Sequence, residues 1–166
     1  LKDAAEAADR KISALQRVAT QTQASLAVEQ ARISTSALYT DTLIEQARAD
    51  EAAAIRAGDV TRAVEAGLAV KDLEIRKVRD TIDAKEVEIK VIRAKIEAAN
   101  AEAKAIIAAA EAEKAQLIAT NSLTEAKKAE IEARIASAKL KQTEAELLAE
   151  NIKQINEEID ALRAKR

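Results

Sequence analysis

The chain lacks almost every residue that interrupts a helix or fills a compact core. It contains no proline and only two glycines, Gly58 and Gly67, in 166 residues. Because proline ends helices and glycine is the usual residue at turns, long uninterrupted helices are predicted. Tyr39 is the single aromatic residue, and methionine, phenylalanine and tryptophan are absent. Since compact cores rely on aromatic side chains that bury about 150–250 Å² each, we expect thin layers of Ile, Leu, Val and Ala between helices instead.

Histidine and cysteine are also absent. The first absence removes the commonest general base and metal ligand, and the second removes the strongest nucleophile and any disulfide. A di-metal site in a helical bundle normally uses Glu-x-x-His motifs, and a phosphate site normally uses a glycine-rich loop. We therefore expect no catalytic residues, no metal or cofactor site, and no enzymatic activity.

The chain has neither a large excess of one charge nor a long apolar run. Charged residues make up 34% of the sequence, yet the formal net charge is only -2. No nucleic-acid partner is expected, because such binding needs a basic surface and usually stacking aromatics. No transmembrane segment is expected either, since no apolar run reaches about 18 residues. The chain begins with Leu1 rather than methionine, as expected of a fragment, a trimmed form or a processed form.

The residues that are present favour helix. About a quarter are alanine, and most of the others are Glu, Lys, Arg, Ile, Leu and Gln, which form helices well. Three helices are predicted, over residues 1–57, 60–119 and 123–166. Short connections make neighbouring helices antiparallel. The sequence therefore predicts an all-α fold, an elongated antiparallel three-helix coiled-coil bundle that forms a single domain over residues 1–166.

Two short segments predict the breaks between these helices. Gly58 can adopt the left-handed conformation that ends a helix, and Asp59 is a good N-cap for the next one. Asn121 also tolerates that conformation, and Ser122 with Glu125 has the spacing of a capping box. We therefore place the two turns at Gly58-Asp59 and Asn121-Ser122.

Apolar residues recur at steps of three and four along each helix, which is the period of left-handed coiled-coil packing. A second stripe on the second helix, between Ala84 and Ala112, predicts contact with more than one neighbour. The first helix carries its own stripe from Ile12 to Ile55. The main predicted packing seam, on the second and third helices, consists of Ile75, Val78, Ile82, Ile89, Ile92, Ile96, Ile106, Leu117, Ile152, Ile155, Ile159 and Leu162.

Two charged residues, Lys85 and Glu113, fall on the apolar register of the second helix. Charged residues at such positions usually fix the register and the choice of partner, or extend their charged ends to solvent at the edge of the seam. We interpret them in this way, with a functional buried site as the alternative.

The first helix is rich in Thr, Ser and Gln between residues 20 and 42. Its hydroxyls are expected to bond to the carbonyl one turn earlier or across helices. The alternative is a contact face, which we place at Thr22, Gln30, Tyr39 and Thr40. Tyr39 is otherwise expected to be a half-buried packing residue.

The same segment is the weakest helix former in the chain. Thr42 and Glu45 have the spacing of a capping box, so a break near residues 39–41 is an alternative. That break would divide the first helix and give four helices rather than three.

The predicted helix lengths leave one end of the bundle thin. At about 1.5 Å per residue the three helices are roughly 85, 90 and 65 Å long, so the third should stop roughly 25 Å short of the turn at Gly58. Small residues, most of them alanine, recur in the first two helices near that turn and are expected to let them approach closely. This end is expected to be two helices thick unless another chain covers it, which favours self-association into a homo-oligomer or filament.

Two resemblances bear on function. The sparse alphabet, and runs such as Ala109–Ala115 and Thr124–Ala133, resemble computationally designed long-helix bundles, which implies a scaffold or self-assembling building block. The segment Ala54–Ala66, about a tenth of the chain, is similar to the tip of the long helical hairpin in the phage-shock protein A family of ESCRT-III-like membrane remodellers. The amphipathic N-terminal helix with which that family touches membrane has no counterpart here, so binding to a membrane surface is not expected.

We therefore expect a non-enzymatic structural helical bundle that associates with copies of itself. The alternatives are a membrane-remodelling hairpin protein and a helical module that binds a protein partner.

Overall fold

The computed structural model describes residues 2–165 of the chain, with side chains described from Glu6 onward. This range contains three helices and no strand: α1 (Lys2–Ala57), α2 (Val60–Ala119) and α3 (Glu125–Ala164). Because α1 packs against α2 and α2 packs against α3, the predicted all-α three-helix fold is confirmed. The predicted helix ends at 57, 60 and 119 are confirmed as well, whereas those at 1 and 166 lie outside the described residues.

The turn between α1 and α2 has the geometry of a Schellman motif. Gly58 has a φ of 72°, and its N–H donates to the Ile55 carbonyl at 3.1 Å while the Asp59 N–H donates to the Ala54 carbonyl at 3.0 Å. These bonds satisfy carbonyls that a helix end leaves unpaired. Oδ1 of Asp59 accepts a hydrogen bond from the Arg62 N–H at 3.1 Å. Asp59 is therefore also the N-cap of α2, and two residues suffice to reverse the chain.

The end of α2 repeats this solution with asparagine in place of glycine. Asn121 has a φ of 55°, and the Ser122 N–H donates to the Leu117 carbonyl at 2.9 Å. Asparagine is one of the few residues with a side chain that tolerates this conformation. The turn predicted at these two residues therefore ends α2 as expected.

The start of α3 differs from the prediction by two residues. Oγ1 of Thr124 accepts a hydrogen bond from the Lys127 N–H at 3.2 Å, so Thr124 is the N-cap. The Ser122 hydroxyl donates to the Thr120 carbonyl at 3.3 Å instead. The predicted capping box of Ser122 with Glu125 is therefore wrong, because a second hydroxyl residue two positions later takes the cap.

Helix α1 passes without a break through its Thr- and Ser-rich segment, so the four-helix alternative is wrong. The hydroxyls of Thr35, Thr40 and Thr42 each donate to the carbonyl four residues earlier, at 2.9 to 3.1 Å. Thr20 and Thr22 make the same bond at 2.9 Å. The expected bonding of hydroxyls to the preceding turn is confirmed, and it lets threonine remain inside the helix.

Contacts group the chain into two units. The first contains Leu1–Ser25 and Lys90–Lys153, and the second contains Leu26–Ile89 and Gln154–Arg166. Each unit therefore takes a piece from all three helices and has its own core.

In the first unit, α2 and α3 run antiparallel. Lys141 pairs with Glu102 at 2.8 Å, and Arg134 pairs with Glu113. The pair that is later on α2 is thus the one that is earlier on α3. Ile131, at 1% exposed, is the most completely buried large side chain of this core. The residues buried in this unit are Ile92, Ala103, Ala105, Ala110, Leu117, Ile131, Ala138 and Ala145.

In the second unit, α1 and α2 form an antiparallel hairpin. Asp41 pairs with Lys77 at 2.8 Å, and Arg48 pairs with Glu74 at 2.9 Å. Ile55, predicted to belong to the α1 stripe, is 63% exposed, and the adjacent Ala54 is buried in its place. The residues buried in this unit are Thr40, Ile44, Ala54, Val70, Ile82, Val87, Ile89, Ile155 and Ile159.

Candidate interaction surface at the α1–α2 turn

Most of the predicted packing seam lies between helices. One member, Ile75, is 40% exposed and is the most exposed residue of the set. The half-buried members are Val78, Ile96, Ile106, Ile152 and Leu162. The buried members are Ile82, Ile89, Ile92, Leu117, Ile155 and Ile159.

The exposure of Ile75 follows from where α3 meets α2. In the second unit, Lys85 pairs with Glu158 at 2.5 Å, and Glu86 pairs with Arg163 at 3.1 Å. Because the helices are antiparallel, Ala164, the last residue of α3, lies opposite about residue 79 of α2. Beyond that point the described part of α3 provides no cover for α2.

The aliphatic register of α2 nevertheless continues into this uncovered part. We call Val60, Val64, Leu68 and Ile75 the tip stripe; their exposures are 74, 57, 57 and 40%. They recur at steps of four, four and seven, so they lie along one side of the helix and lead directly into Val78 and Ile82. Single exposed aliphatic residues are ordinary on protein surfaces, but an aligned series that continues a packed seam is a candidate contact site.

The tip stripe borders a groove of about 760 Å³ between α1 and α2. Its lining includes the small residues Ala54, Ala63 and Gly67. A Cβ on Gly67 would lie 3.4 Å from Oε1 of Glu51 on α1. The groove is open to solvent and apolar along the stripe, and the charged residues that line it are Glu51, Asp59, Lys71 and Glu74.

Polar residues inside the seams pair with one another. The two charged residues predicted to fix register, Lys85 and Glu113, pair across α2 and α3 with Glu158 and Arg134. Arg134 and its neighbour one heptad later, Lys141, were missed by the sequence analysis. Their signal was present, since they complete the three-and-four spacing from Ile131 to Ala138 and Ala145.

A polar layer in the first unit joins all three helices. Glu102 on α2 accepts a bond from Lys141 of α3 at 2.8 Å and a longer one from Nε2 of Gln16 of α1 at 3.4 Å. One carboxylate thereby aligns two neighbouring helices against α2. Such layers oppose slippage, because a shift by one turn would leave the carboxylate without donors.

The residues of the predicted α1 contact face do not come together. Thr22 and Gln30 are exposed, whereas Thr40 is completely buried, with Oγ1 3.3 Å from Oδ2 of Asp80. Tyr39 is 60% exposed rather than half-buried. It lines a shallow surface depression with Thr35 and neighbouring residues of the same helix. This side of α1 therefore offers no convergent site.

One other exposed aliphatic pair stands out by its regular spacing. Leu140 and Leu147 of α3 are each 65% exposed and lie seven residues apart, so both lie on one side of the helix. Glu144, also exposed, lies between them on that side. We call Leu140, Glu144 and Leu147 the α3 face.

Within the described residues, no cluster of three or more acidic side chains could hold a metal ion. In the same part of the chain, no helix is apolar over a length that would cross a bilayer. No family model, no curated protein and no solved structure matches the chain.

Proposed function

We propose that the chain is a non-catalytic structural protein that associates with copies of itself through the tip stripe. The observation that carries this proposal is the aliphatic register of α2, which the described part of α3 covers up to about residue 79 and leaves exposed from there to Val60. Fully burying one aliphatic side chain contributes about 1.5–3 kcal/mol. The four residues of the tip stripe thus supply a driving force for association that the isolated chain does not use.

The interior of the bundle supports a structural role rather than a chemical one. Its charged residues pair between helices, as Lys85 does with Glu158 and Glu102 with Lys141. Such pairs fix the alignment of the helices. The regular seams and the two-residue turn at Gly58-Asp59 also support an idealised, designed scaffold as the origin of the chain.

The oligomeric state tests this proposal. We expect size-exclusion chromatography with light scattering to give a mass above 17.8 kDa that increases with protein concentration. Replacing Val64 and Leu68 by Gln should lower that mass, because it removes two members of the stripe. Replacing Leu38, an exposed leucine on α1, by Gln should not. A monomer at every concentration would contradict the proposal.

A second candidate function is favoured by the hairpin. The segment Ala54–Ala66, which is similar to the tip of the phage-shock protein A hairpin, does contain the turn between two long antiparallel helices. A membrane remodeller is expected to sediment with vesicles that contain phosphatidylserine and to form polydisperse rods or rings. Assembly that is unchanged by such vesicles would favour the structural scaffold instead.

A further inference from the structure

The tip stripe needs a complementary surface, and the chain itself carries one. The occupant of the stripe should be a helix with aliphatic residues at coiled-coil spacing, because this is what α3 presents to the continuation of the same register. Among the exposed aliphatic residues of the described chain, Leu140 and Leu147 on α3 have this spacing. The tip stripe offers Leu68 and Ile75, which are also seven residues apart.

Between the two aliphatic residues of each surface lies one charged residue on the same side of the helix, and these two charges are opposite in sign. Lys71 lies three residues after Leu68 and four before Ile75. Along α3 in the reverse direction, Glu144 lies three residues after Leu147 and four before Leu140. In an antiparallel pair, Leu147 therefore meets Leu68, Leu140 meets Ile75, and Glu144 meets Lys71. In a parallel pair, Glu144 would lie one residue away from the position opposite Lys71.

Within the part of the chain that the structure describes, Lys71 and Glu144 belong to none of the ion pairs. Both are exposed. They are therefore available to pair with each other across a contact between two copies.

We propose that a second copy of the chain lays its α3 face on the tip stripe, antiparallel to α2, with Glu144 paired to Lys71. This inference rests on the proposed self-association and specifies its geometry. The two surfaces are different, so the contact is heterologous: each copy offers one tip stripe and one α3 face. Repetition of such a contact builds a ring when the rotation closes and a filament when it does not.

A complementation experiment with two single variants tests this geometry. Leu68→Glu blocks the tip stripe and leaves the α3 face intact, whereas Leu147→Glu does the reverse. Both positions are exposed on helices, and glutamate is a good helix former, so circular dichroism should show unchanged folding. Each variant alone should bind itself at least about tenfold more weakly, because the contact would bury an unpaired carboxylate.

Mixing the two variants should restore exactly one contact. Leu147→Glu supplies the intact tip stripe and Leu68→Glu supplies the intact α3 face, so light scattering should find a heterodimer of twice 17.8 kDa. Leu38→Glu, which alters an exposed leucine outside both surfaces, should assemble like the unmodified chain. A contact between two tip stripes would instead leave Leu147→Glu fully assembled and would overturn the inference.

Exchange of the charges at positions 71 and 144 is a second test of this geometry. Lys71→Glu and Glu144→Lys should each weaken assembly, and the double variant should recover it, since the pair is then reversed but complete. Lack of recovery would overturn the inference even where the unmodified chain assembles. A monomeric unmodified chain would overturn the proposed function itself, so the two failures are distinguishable.

Discussion

At the scale of single residues, side chains of the same type make different contacts according to their neighbours. The hydroxyls of Thr40 and Thr42 both donate to the carbonyl one turn earlier. Only Thr40 is buried, and it also lies 3.3 Å from the Asp80 carboxylate of α2. Thr40 therefore contacts a second helix, whereas the hydroxyl of Thr42 is bonded within its own helix.

We expect replacement of Thr40 by Val to destabilise the fold by about 1 kcal/mol, because the one hydroxyl proton that the Ser36 carbonyl and the Asp80 carboxylate share is lost at a buried position. Replacement of Thr42 by Val should change stability by less than about 0.5 kcal/mol, since this side chain is exposed. Chemical denaturation of the two variants measures the difference. Equal effects at both positions would show that the contact with Asp80 contributes nothing.

The ion pairs should differ in strength according to their exposure. The side chains of Glu102 and Lys141 are 22 and 39% exposed, whereas those of Arg48 and Glu74 are 61 and 49% exposed. Exposed pairs contribute about 0.2–1 kcal/mol and are screened by salt. A double-mutant cycle at each pair should give the larger coupling energy for Glu102–Lys141, and that coupling should fall less when salt is added. The reverse order would contradict our assignment of the polar layer.

At the scale of helices and turns, the ends of α1 and α2 were predictable because each has one dominant signal. Gly58 and Asn121 are the residues best suited to the left-handed conformation at their positions. The start of α3 was not, because Ser122 and Thr124 can both cap a helix and only contacts decide between them. The apolar stripe of α1 was misplaced at its end for a similar reason, since Ile55 and Ala54 differ by one residue in register.

The two glycines should respond in opposite ways to alanine. Gly58→Ala places a Cβ in a left-handed conformation and should destabilise the turn by about 1 kcal/mol. Gly67 lies inside α2, where alanine is a better helix former by about 0.8–1 kcal/mol. Its new Cβ would meet only the flexible end of Glu51 at 3.4 Å, so Gly67→Ala should be neutral or stabilising. Denaturant midpoints of both variants test this, and stabilisation by Gly58→Ala would contradict the observed turn.

The sequence also indicated which residues pack in the seams better than it indicated how far along the helices the seams extend. Heptad spacing identified Ile82, Ile89 and Ile159 as packing residues because periodicity reports the face of a helix. It could not show that Ile75, on the same register, lies beyond the reach of α3. Register alone also cannot show whether an apolar stretch of a helix packs against the same chain or against another copy.

At the scale of the whole molecule, self-association should couple to stability. Copies that bind only the folded chain stabilise it by mass action, by up to about 1.4 kcal/mol for each tenfold rise in concentration above the dissociation constant. For a chain of this size that corresponds to an increase in Tm of about 2–4 °C per kcal/mol. Thermal unfolding at increasing concentration should show this rise in the unmodified chain and in Leu38→Glu. An equal rise in the Tm of Leu68→Glu with concentration would show that the contact lies elsewhere in the chain.

The most direct test of the account is hydrogen exchange along α2 at low and high protein concentration. Peptides that cover residues 60–75 should exchange more slowly at high concentration, because a second copy that covers the tip stripe opposes local opening of the helix. Peptides from residues 8–19 of α1 should exchange at the same rate in both samples. Identical exchange of residues 60–75 at both concentrations, in a sample that light scattering shows to be assembled, would contradict the central claim.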